Sequence, residues 1–231
     1  MSHYWAVVPA AGVGSRMRAD RPKQYLELSG KTILQHTLER LATHPQIKGV
    51  VVAVSAGDAY WPTLKLDTRL PIFVADGGDE RCHSVLKGLK KLATQAKATD
   101  WVLVHDAARP CLQHQDIDKL ISELNNTDGG LLGLPVADTI KFCDKKNKVQ
   151  RTVDRSGLWR ALTPQMFRLG QLLDALQQAI DDNALVTDEA SAMERIGIQP
   201  VMVEGQADNI KITHPQDLRW AEMYLNNQRG V

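Results

Sequence analysis

Short apolar runs of strand length alternate along this chain with segments of helical period, and this alternation constrains the fold more than any other feature. Residues 50–54 form a nearly continuous valine run, typical of a parallel strand covered on both faces. Thr32 and Gln35 stand at the spacing of a helix capping box, and Leu34 and Leu38 then begin one apolar helical face. Strand and helix alternate in this way at least four times. We therefore predict an α/β fold with a mostly parallel sheet and helices on both faces.

The same pattern predicts the extents of the individual elements. Strands are predicted at residues 5–9, 50–54, 71–75, 101–104, 131–136, 200–203 and 209–212. Helices are predicted within residues 32–42, 85–92, 117–124 and 172–180. A further helix is predicted to start at Thr187, with Asp188 and Glu189 in its first turn, where acidic groups favour the positive end of the helix dipole. A last helix is predicted behind a Thr213-x-x-Gln216 cap.

The pattern changes between residues 137 and 154. Two stretches, 139–143 and 149–153, alternate in character around the polar run 144–148, which is typical of a β-hairpin. The α/β pattern on either side offers this hairpin no packing partner, so we expect it to project as an arm. We find no internal repeat or linker, and we expect one domain over residues 1–231 with this inserted arm.

Charge and cysteine content exclude several classes of protein. The 28 Lys and Arg nearly balance the 27 Asp and Glu, which argues against a general nucleic-acid binder. Because no apolar run approaches about eighteen residues, we expect no membrane span, and the start lacks the cationic segment of a signal peptide. The three cysteines are an odd number at wide spacings. This disfavours a disulfide framework or a cysteine zinc site and fits a cytoplasmic protein.

The turn after the first strand, P-A-A-G-V-G-S-R-M at residues 9–17, is rich in small residues. Such a turn lets successive backbone N–H groups approach phosphate oxygens, so Gly12 and Gly14 are candidate nucleotide contacts. The third glycine of a dinucleotide fingerprint is replaced by Met17, and Tyr25 stands where a Walker A motif before Gly30 needs glycine. A dehydrogenase and a P-loop ATPase are therefore disfavoured. A plain tight turn stays open as the alternative reading of these glycines.

Cations follow several of the predicted strands, whose carboxyl ends share one crevice in an open α/β sheet. Arg16 and Lys23 follow the first strand, Asp106 and Arg109 follow the fourth, and Lys211 follows a late one. A salt bridge within a turn is the alternative reading of Asp106 and Arg109. His105 is read as a hydrogen-bonded turn residue and Cys82 as a small core residue. The candidate set, with Arg155, favours binding and transfer of phosphates, where catalysis is mainly positioning and charge neutralisation.

Six segments of the chain, taken in order, resemble the 2-C-methyl-D-erythritol 4-phosphate cytidylyltransferases. They are the first loop with P-K-Q-Y at 22–25, G-G-D-E-R at 77–81, V-H-D-A-A-R-P at 104–110, T-V-D-R at 152–155, T-D-E-A at 187–190 and D-N-I-K at 208–211. The resemblance runs from about residue 5 to about residue 225. It implies a Rossmann-like nucleotidyltransferase sheet and a homodimer whose hairpin crosses to the other subunit. It also implies an enzyme of isoprenoid precursor biosynthesis that joins CTP and methylerythritol phosphate, with Mg²⁺ held by the nucleotide phosphates.

The resemblance also implies a role for each candidate residue. The nucleotide would be held by Ala10, Ala11, Gly12, Gly14, Gly78, Asp79 and Ser84. The methylerythritol phosphate would be held by Asp106, Arg109 and Thr139. Arg16 and Lys23 would stabilise the transition state, and Arg155 and Lys211 would position the attacking phosphate. No residue is expected to be a metal ligand. Ser15 stands where relatives often have a second arginine, which makes the triphosphate site less cationic here.

The implied chemistry agrees with the residues present. A phosphate monoester has a second pKa of about 6, so it is already mostly dianionic at neutral pH and needs no proton-abstracting side chain. Three alternatives stay open on the sequence: a cytidylyltransferase for another polyol phosphate such as ribitol 5-phosphate, a molybdopterin-type or sugar guanylyltransferase, and a non-catalytic nucleotide-binding protein. No nucleic acid or membrane is expected as a partner.

Overall fold

A seven-stranded sheet forms the centre of the molecule. The structure, a computed structural model, describes residues 2–12, 14, 17 and 19–229. The strands are β1 (Tyr4–Pro9), β2 (Glu27–Leu28), β3 (Lys31–Thr32), β4 (Ile47–Val54), β5 (Ile72–Asp76), β6 (Trp101–Val104), β7 (Gly129–Pro135), β8 (Ile140–Cys143), β9 (Val149–Val153), β10 (Trp159–Arg168) and β11 (Val201–Glu204). The helices are α1 (Ile33–Ala42), α2 (Arg81–Leu92), α3 (His114–Leu124), α4 (Leu169–Asp181), α5 (Glu189–Arg195) and α6 (Asp217–Arg229).

The order of the strands creates a crevice beside β1. The large sheet runs β11-β7-β10-β6-β1-β4-β5, and all neighbouring pairs are parallel except those that β10 makes with β6 and β7. From β1 the chain moves outward through β4 to β5, then returns to the other side of β1 as β6. The strand order therefore reverses between β1 and β6, and in open α/β sheets ligands bind at the carboxyl ends of the strands near such a reversal.

Each face of the sheet is buried under helices. Ala6 and Val8 belong to a core that includes side chains of α1 and α3, whereas Val7 belongs to a second core with side chains of α2, α4 and α5. Neighbouring residues of a strand point to opposite faces, so a strand buried on both faces must be apolar throughout. Residues 50–54 satisfy this requirement, since Val50 to Val54 are all buried. The mostly parallel α/β sheet predicted from the sequence is confirmed.

Helix starts agree with the sequence in part. The Thr32–Gln35 capping box is confirmed, because Thr32 accepts the Gln35 N–H at 3.2 Å and Gln35 accepts the Thr32 N–H at 2.7 Å. Helix α5 begins at Glu189 rather than Thr187, since Asp188 is its N-cap and accepts the N–H of Ser191.

Two predictions near the end of the chain are wrong. Residues 209–212 form no strand, because the Asn209 carbonyl accepts a hydrogen bond from Arg109 at 2.6 Å and the Asn209 amide donates to Thr163 O at 2.8 Å. The Thr213 side chain does not cap α6. The helix begins at Asp217, whose carboxylate accepts the N–H groups of Thr213 and His214 at 2.8 Å each.

The predicted hairpin is present as β8 and β9. They pair antiparallel as a two-stranded sheet separate from the large one, joined by a polar turn around Asp144. Phe142 on β8 is 54% exposed and Val149 on β9 is 59% exposed. Among the described residues, no helix combines the length and apolar character that crossing a membrane requires.

Candidate active site

A cavity of about 240 Å³ lies at the carboxyl ends of β1, β5 and β6. Ten of the residues singled out in the sequence line it: Ala10, Ala11, Gly12, Gly14, Lys23, Gly78, Asp79, Ser84, Asp106 and Lys211. Four separate segments of the chain supply these residues, so the fold brings together groups that lie far apart in the sequence.

Hydrogen bonds to two carbonyls hold the loop after β1. The side-chain amide of Gln24 donates to the Ala10 carbonyl at 2.6 Å, and the Ser55 hydroxyl donates to the Ala11 carbonyl at 3.0 Å. These two hydrogen bonds fix the loop, and its small residues line the cavity together with Gln24. No role for Gln24 was predicted from the sequence, although its buried side chain helps to fix this loop.

The loop after β5 packs directly on the loop after β1. A Cβ atom added at Gly77 would lie 2.2 Å from the Cβ of Ala11, so this contact requires glycine. The hydroxyl of Ser84, in the first turn of α2, accepts the Gly78 N–H at 3.0 Å and fixes the turn that enters the helix. The two loops therefore form one continuous wall of the cavity.

Lys23 reaches the cavity across the first loop. Its side-chain stem passes Gly14, where an added Cβ would lie 2.6 Å from the lysine Cγ. Its ammonium donates to the carbonyl of Ile212 at 2.8 Å, which ties this loop to the segment that carries Lys211. Gly14 has a φ of 65°, in the left-handed region that favours glycine. Glycine at position 14 thus permits the left-handed turn and also leaves room for the side chain of Lys23.

Asp106 is the centre of a cluster of cations. Its carboxylate receives the Nε of Arg81 at 2.9 Å and the Nζ of Lys211 at 2.8 Å, and the Nε of Arg109 lies 3.6 Å away. Burial by itself would raise the pKa of Asp106, but the charges of Arg81, Lys211 and Arg109 hold it far below its ordinary value. The turn salt bridge considered for Asp106 and Arg109 is present as part of this larger cluster.

Arg81 connects this cluster to α5. Its two terminal nitrogens donate to the two carboxylate oxygens of Glu189, at 2.7 and 3.1 Å, while its Nε donates to Asp106. Glu189 was interpreted from the sequence only as an acidic residue in the first turn of its helix, and Arg81 was given no role in the site. Since 108 residues separate them, the spacing of residues along the chain gives no signal of the pair.

A neutral histidine supports the turn from behind. The Thr163 hydroxyl accepts the Asp106 N–H at 3.1 Å, so its proton is directed to Nδ1 of His105 at 3.0 Å. The Nε2–H of His105 then donates to the Arg109 carbonyl at 3.0 Å. Burial lowers the pKa of His105 to about 4, which keeps the imidazole neutral. Its interpretation as a hydrogen-bonded turn residue agrees with this geometry.

Two further cavities adjoin the first. One, of about 350 Å³, has Arg109, Arg160 and Lys211 on its wall, and the described part of its lining includes no carboxylate. The other, of about 210 Å³, shares Arg81, Asp106 and Lys211 with the first cavity. These two cavities share Arg109 and Lys211 and together form a cationic space. Arg81, Asp106 and Lys211 line both the glycine-lined cavity and the smaller of the two, and so form the boundary between the glycine-lined space and the cationic space.

The remaining candidate residues lie elsewhere. Thr139 and Arg155 are exposed at the base of the arm and line none of these cavities, and the Arg155 guanidinium donates to the Ala137 carbonyl. Arg16 and Ser15 lie outside the described residues. The expectation that Cys82 is a core residue is confirmed in part. Cys82 packs against the core on the α2 side of the sheet, but it is only partly buried, and its thiol lies close to Glu80.

The fold and the cavity together define a class. A mostly parallel sheet with glycine-rich loops and clustered cations at one strand reversal is the architecture of an α/β nucleotidyltransferase. The sequence model of the family described as "IspD: 2-C-methyl-D-erythritol 4-phosphate cytidylyltransferase" matches residues 4–227. The chain belongs to this family.

Individual relatives agree with the family match. A protein of Vibrio parahaemolyticus named 2-C-methyl-D-erythritol 4-phosphate cytidylyltransferase is 53% identical over 231 residues, covering 100% of this chain and 98% of the relative. A protein of Pseudomonas fluorescens with the same name is 54% identical, covering 98% of this chain and 97% of the relative. The crystal structure of the Francisella tularensis protein of that name superposes with a TM-score of 0.84 at 38% identity, covering 96% of this chain and 100% of the other.

Proposed function

We propose that the cavity at the ends of β1, β5 and β6 joins CTP to 2-C-methyl-D-erythritol 4-phosphate, giving the CDP-alcohol and pyrophosphate. As a member of its family, the chain is a cytidylyltransferase of isoprenoid precursor biosynthesis. The observation that carries the assignment to this site is the shared boundary of Arg81, Asp106 and Lys211. It adjoins both a glycine-lined space suited to a nucleotide and a cationic space suited to a phosphate.

The glycine-lined space is assigned to the nucleotide. Its walls come from the Ala10–Ala11–Gly12–Gly14 loop and from Gly78, Asp79 and Ser84. Backbone N–H groups of small residues can approach a ligand closely, and the start of α2 adds the positive end of a helix dipole. Lys23 at the same cavity supplies a cation for the triphosphate.

The cationic space is assigned to the acceptor. Its phosphate, with a second pKa of about 6, arrives mostly as a dianion and attacks without losing a proton to the protein. Lys211 stands at the boundary of both spaces and is suited to steer this phosphate toward the nucleotide. Asp106 is ionised and belongs to the same boundary, so its carboxylate can accept hydrogen bonds from hydroxyl groups of the acceptor.

Catalysis then consists of positioning and charge neutralisation. A dianion must approach a triphosphate, and negative charge grows on the oxygens around the α-phosphate and on the leaving pyrophosphate. Lys23, with Arg16 from the same loop, would offset that charge in the transition state. His105 is not needed as a base, and its two nitrogens are already engaged with Thr163 and Arg109.

The metal would enter with the nucleotide. Mg²⁺ prefers oxygen ligands and retains several waters, and it is commonly held through substrate phosphates. Among the described residues, no three carboxylate, histidine or cysteine side chains converge as a set of metal ligands, and both oxygens of Asp106 already receive cations. When bound, Mg²⁺ would neutralise phosphate charge. We therefore assign the binding of Mg²⁺ to the triphosphate, which would lie beside Lys23.

The arm would serve a second subunit. Thr139 and Arg155 lie at its base, exposed and outside the cavities of their own chain. An exposed hairpin with apolar residues such as Phe142 and Val149 is suited to bury them against another protein surface. We assign this surface to a homodimer, in which each arm brings Thr139 and Arg155 to the partner's acceptor space. The enzyme is assigned to the cytoplasm.

A pyrophosphate-release assay with purified protein and Mg²⁺ tests the function. CTP is paired with 2-C-methyl-D-erythritol 4-phosphate, with ribitol 5-phosphate or with no acceptor, and GTP replaces CTP in a parallel series. We expect release with CTP and methylerythritol phosphate, and little with the other combinations. Comparable turnover with ribitol 5-phosphate would overturn the assignment of methylerythritol phosphate as the acceptor. Comparable turnover with GTP would overturn the assignment of CTP as the nucleotide. Absence of pyrophosphate release with every pair would overturn the assignment of the protein as an enzyme.

A further inference from the structure

Arg81 occupies a position that the proposed chemistry does not yet explain. It lies on the boundary between the nucleotide space and the acceptor space, together with Asp106 and Lys211. Its Nε donates to the Oδ1 of Asp106 at 2.9 Å, while Lys211 binds Oδ2. Arg81 therefore determines the direction of one oxygen of the carboxylate that faces the acceptor.

Glu189 holds Arg81 from the side away from the substrates. Both of its oxygens accept from the terminal nitrogens of Arg81, at 2.7 and 3.1 Å. Its side chain is only 1% exposed, and Glu189 lines none of the three cavities defined by the described residues. Any effect of Glu189 on substrates must therefore pass through Arg81.

A two-point contact fixes a planar group. When both terminal nitrogens of a guanidinium bind one carboxylate, the plane and the direction of its Nε–H are set. Here that Nε–H is the one that reaches Asp106. Asp106 and Glu189 together offset two of the three positive charges of Arg81, Arg109 and Lys211, which leaves one net positive charge to attract an incoming phosphate.

The support of Glu189 is itself rigid. Glu189 is the first residue of α5, whose start is tied to β10 by Gln165: the Gln165 amide donates to Asp188 at 2.9 Å and accepts the Ala190 N–H at 2.8 Å. Strand β10 also carries Thr163, which receives the Asp106 N–H. Strand β10 thus supports the backbone of Asp106 directly through Thr163. It supports the side chain of Asp106 indirectly, through α5 and Arg81.

We propose that Glu189 is a positioning residue, which holds the Arg81 guanidinium so that Arg81 orients Asp106 toward the acceptor. This inference rests on the proposed function, since it takes the acceptor to bind at Asp106. It assigns Glu189 an effect on the acceptor and none on the nucleotide.

Glu189→Gln tests this division. The amide keeps the shape of the side chain but loses the charge and one acceptor oxygen, so the guanidinium is no longer held at two points. We expect the KM for methylerythritol phosphate to rise about tenfold or more, since a small misplacement of a binding group has large effects. CTP binding, measured by calorimetry, should stay within about twofold, because the glycine-rich loops that hold the nucleotide are fixed by Gln24, Ser55 and Ser84 rather than by Glu189.

Glu39→Gln is the matched control. Glu39 is a mostly buried glutamate of α1 that pairs with Lys31, away from the three cavities. Thermal unfolding of each variant gives its folded fraction, because removing the charge of a buried pair also lowers stability. A loss of folded protein lowers the apparent kcat and leaves KM unchanged. An increase in acceptor KM in Glu189→Gln alone is therefore the signature of positioning.

Arg81→Lys completes the test. Lysine keeps the charge, but its single ammonium cannot hold Asp106 and both oxygens of Glu189 in one plane. We expect the same rise in acceptor KM, and the double variant should be no worse than the more impaired single variant. Effects on KM that multiply would show independent action and overturn the proposal. If Glu189→Gln does not fold, Glu189→Asp, which keeps the charge but shortens the reach, takes its place.

The outcomes separate this inference from the function itself. If the wild-type protein releases no pyrophosphate from CTP and methylerythritol phosphate, the proposed function fails. If the wild type is active and the acceptor KM of the Glu189 variant is unchanged, only the positioning role fails. If CTP binding weakens as much as acceptor binding, Glu189 supports the fold of the whole site and the proposal is overturned.

Discussion

At the scale of single residues, Lys23 is the positively charged side chain that reaches the nucleotide cavity from the described part of the first loop. Its ammonium is fixed by the Ile212 carbonyl, and its stem packs along Gly14. This geometry holds a positive charge in place before the triphosphate arrives, so little reorganisation is needed in the transition state.

Lys23→Ala should lower kcat by about 10²–10³, because removing one preorganised group that stabilises transition-state charge has this effect. Its circular dichroism spectrum should stay that of the wild type. Lys119→Ala is the control, since Lys119 also donates to the backbone carbonyl of another element but does not line the cavity. Near-normal turnover of Lys23→Ala would remove Lys23 from the chemistry.

His105 makes stability depend on pH. Its pKa is about 4 in the folded protein and about 6.5 in an unfolded chain. Between these values the unfolded chain binds the proton more readily, so the contribution of His105 is present above pH 6.5 and is lost as the pH falls toward 4. His44, whose pKa burial also lowers, adds a change of the same sign.

His105→Gln should therefore flatten the pH dependence of unfolding. Urea denaturation between pH 4.5 and 7.5 gives the free energy of unfolding of both proteins. The difference between wild type and variant should shrink as the pH falls, because the variant has no imidazole to protonate at this position. A difference that is constant across the pH range would contradict a buried neutral His105.

At the scale of elements, the pattern of the sequence predicted the central parallel strands β4 and β6 well because they are buried on both faces. Strand β6 was predicted with the bounds that the structure has, and the valine run forms the buried C-terminal part of β4. Strand β10 was missed, because Thr163, Pro164 and Gln165 interrupt its apolar residues. The side chains of Thr163 and Gln165 are buried because they bind Asp106 and α5, and the backbone carbonyl of Thr163 accepts from Asn209. These partners lie outside the segment itself.

The candidate site divides in the same way. Small residues after strands, such as those at 10–12, are visible from the sequence because a strand and a glycine-rich turn are local features. Arg81 and Glu189 were missed because an ion pair between two helix starts depends on how α2 and α5 pack. Strand-end position predicted the grouping of Asp106 with Lys211, although the late segment is no strand.

The contact between two loops gives a prediction at this scale. Gly77→Ala would force apart the loops after β1 and β5, since the new methyl group would lie 2.2 Å from the Ala11 Cβ. We expect the free energy of unfolding to fall by about 1–3 kcal/mol, as in other overpacked sites. CTP binding should weaken as well. Gly205→Ala is the control, because its nearest contact would be 3.3 Å from a flexible leucine side chain.

Calorimetry and urea denaturation measure the two effects of Gly77→Ala separately. Unchanged CTP affinity in a destabilised Gly77→Ala protein would show that the contact between these loops does not shape the nucleotide space. Unchanged stability would contradict the close approach itself.

At the scale of the whole molecule, the arm makes two subunits depend on each other. If Arg155 serves the partner's acceptor space, a site is built from Lys23 of one chain and Arg155 of the other. Two inactive variants, Lys23→Ala and Arg155→Ala, should then restore activity when they are co-expressed with different tags and purified as a mixture. Each mixed dimer has one site with both lesions and one intact site.

Statistical mixing predicts about a quarter of wild-type activity, since half of the dimers are mixed and each holds one intact site. Each variant expressed alone should stay inactive and dimeric by analytical ultracentrifugation. Absence of any restored activity in a mixture that contains mixed dimers would mean that Arg155 does not act across subunits. A wild-type monomer at micromolar concentration would exclude the shared site altogether.

The central claim is that one cavity between β1, β5 and β6 receives the nucleotide beside a separate space for the acceptor. A crystal structure of the protein with CTP and Mg²⁺ tests it most directly. We expect the cytidine to lie between the Ala10–Gly12 turn and Ser84, with the triphosphate toward Lys23. The boundary at Asp106 and Lys211 should stay open to the acceptor. Nucleotide bound away from the glycine loops, or filling the cationic space beside Arg109, would contradict it.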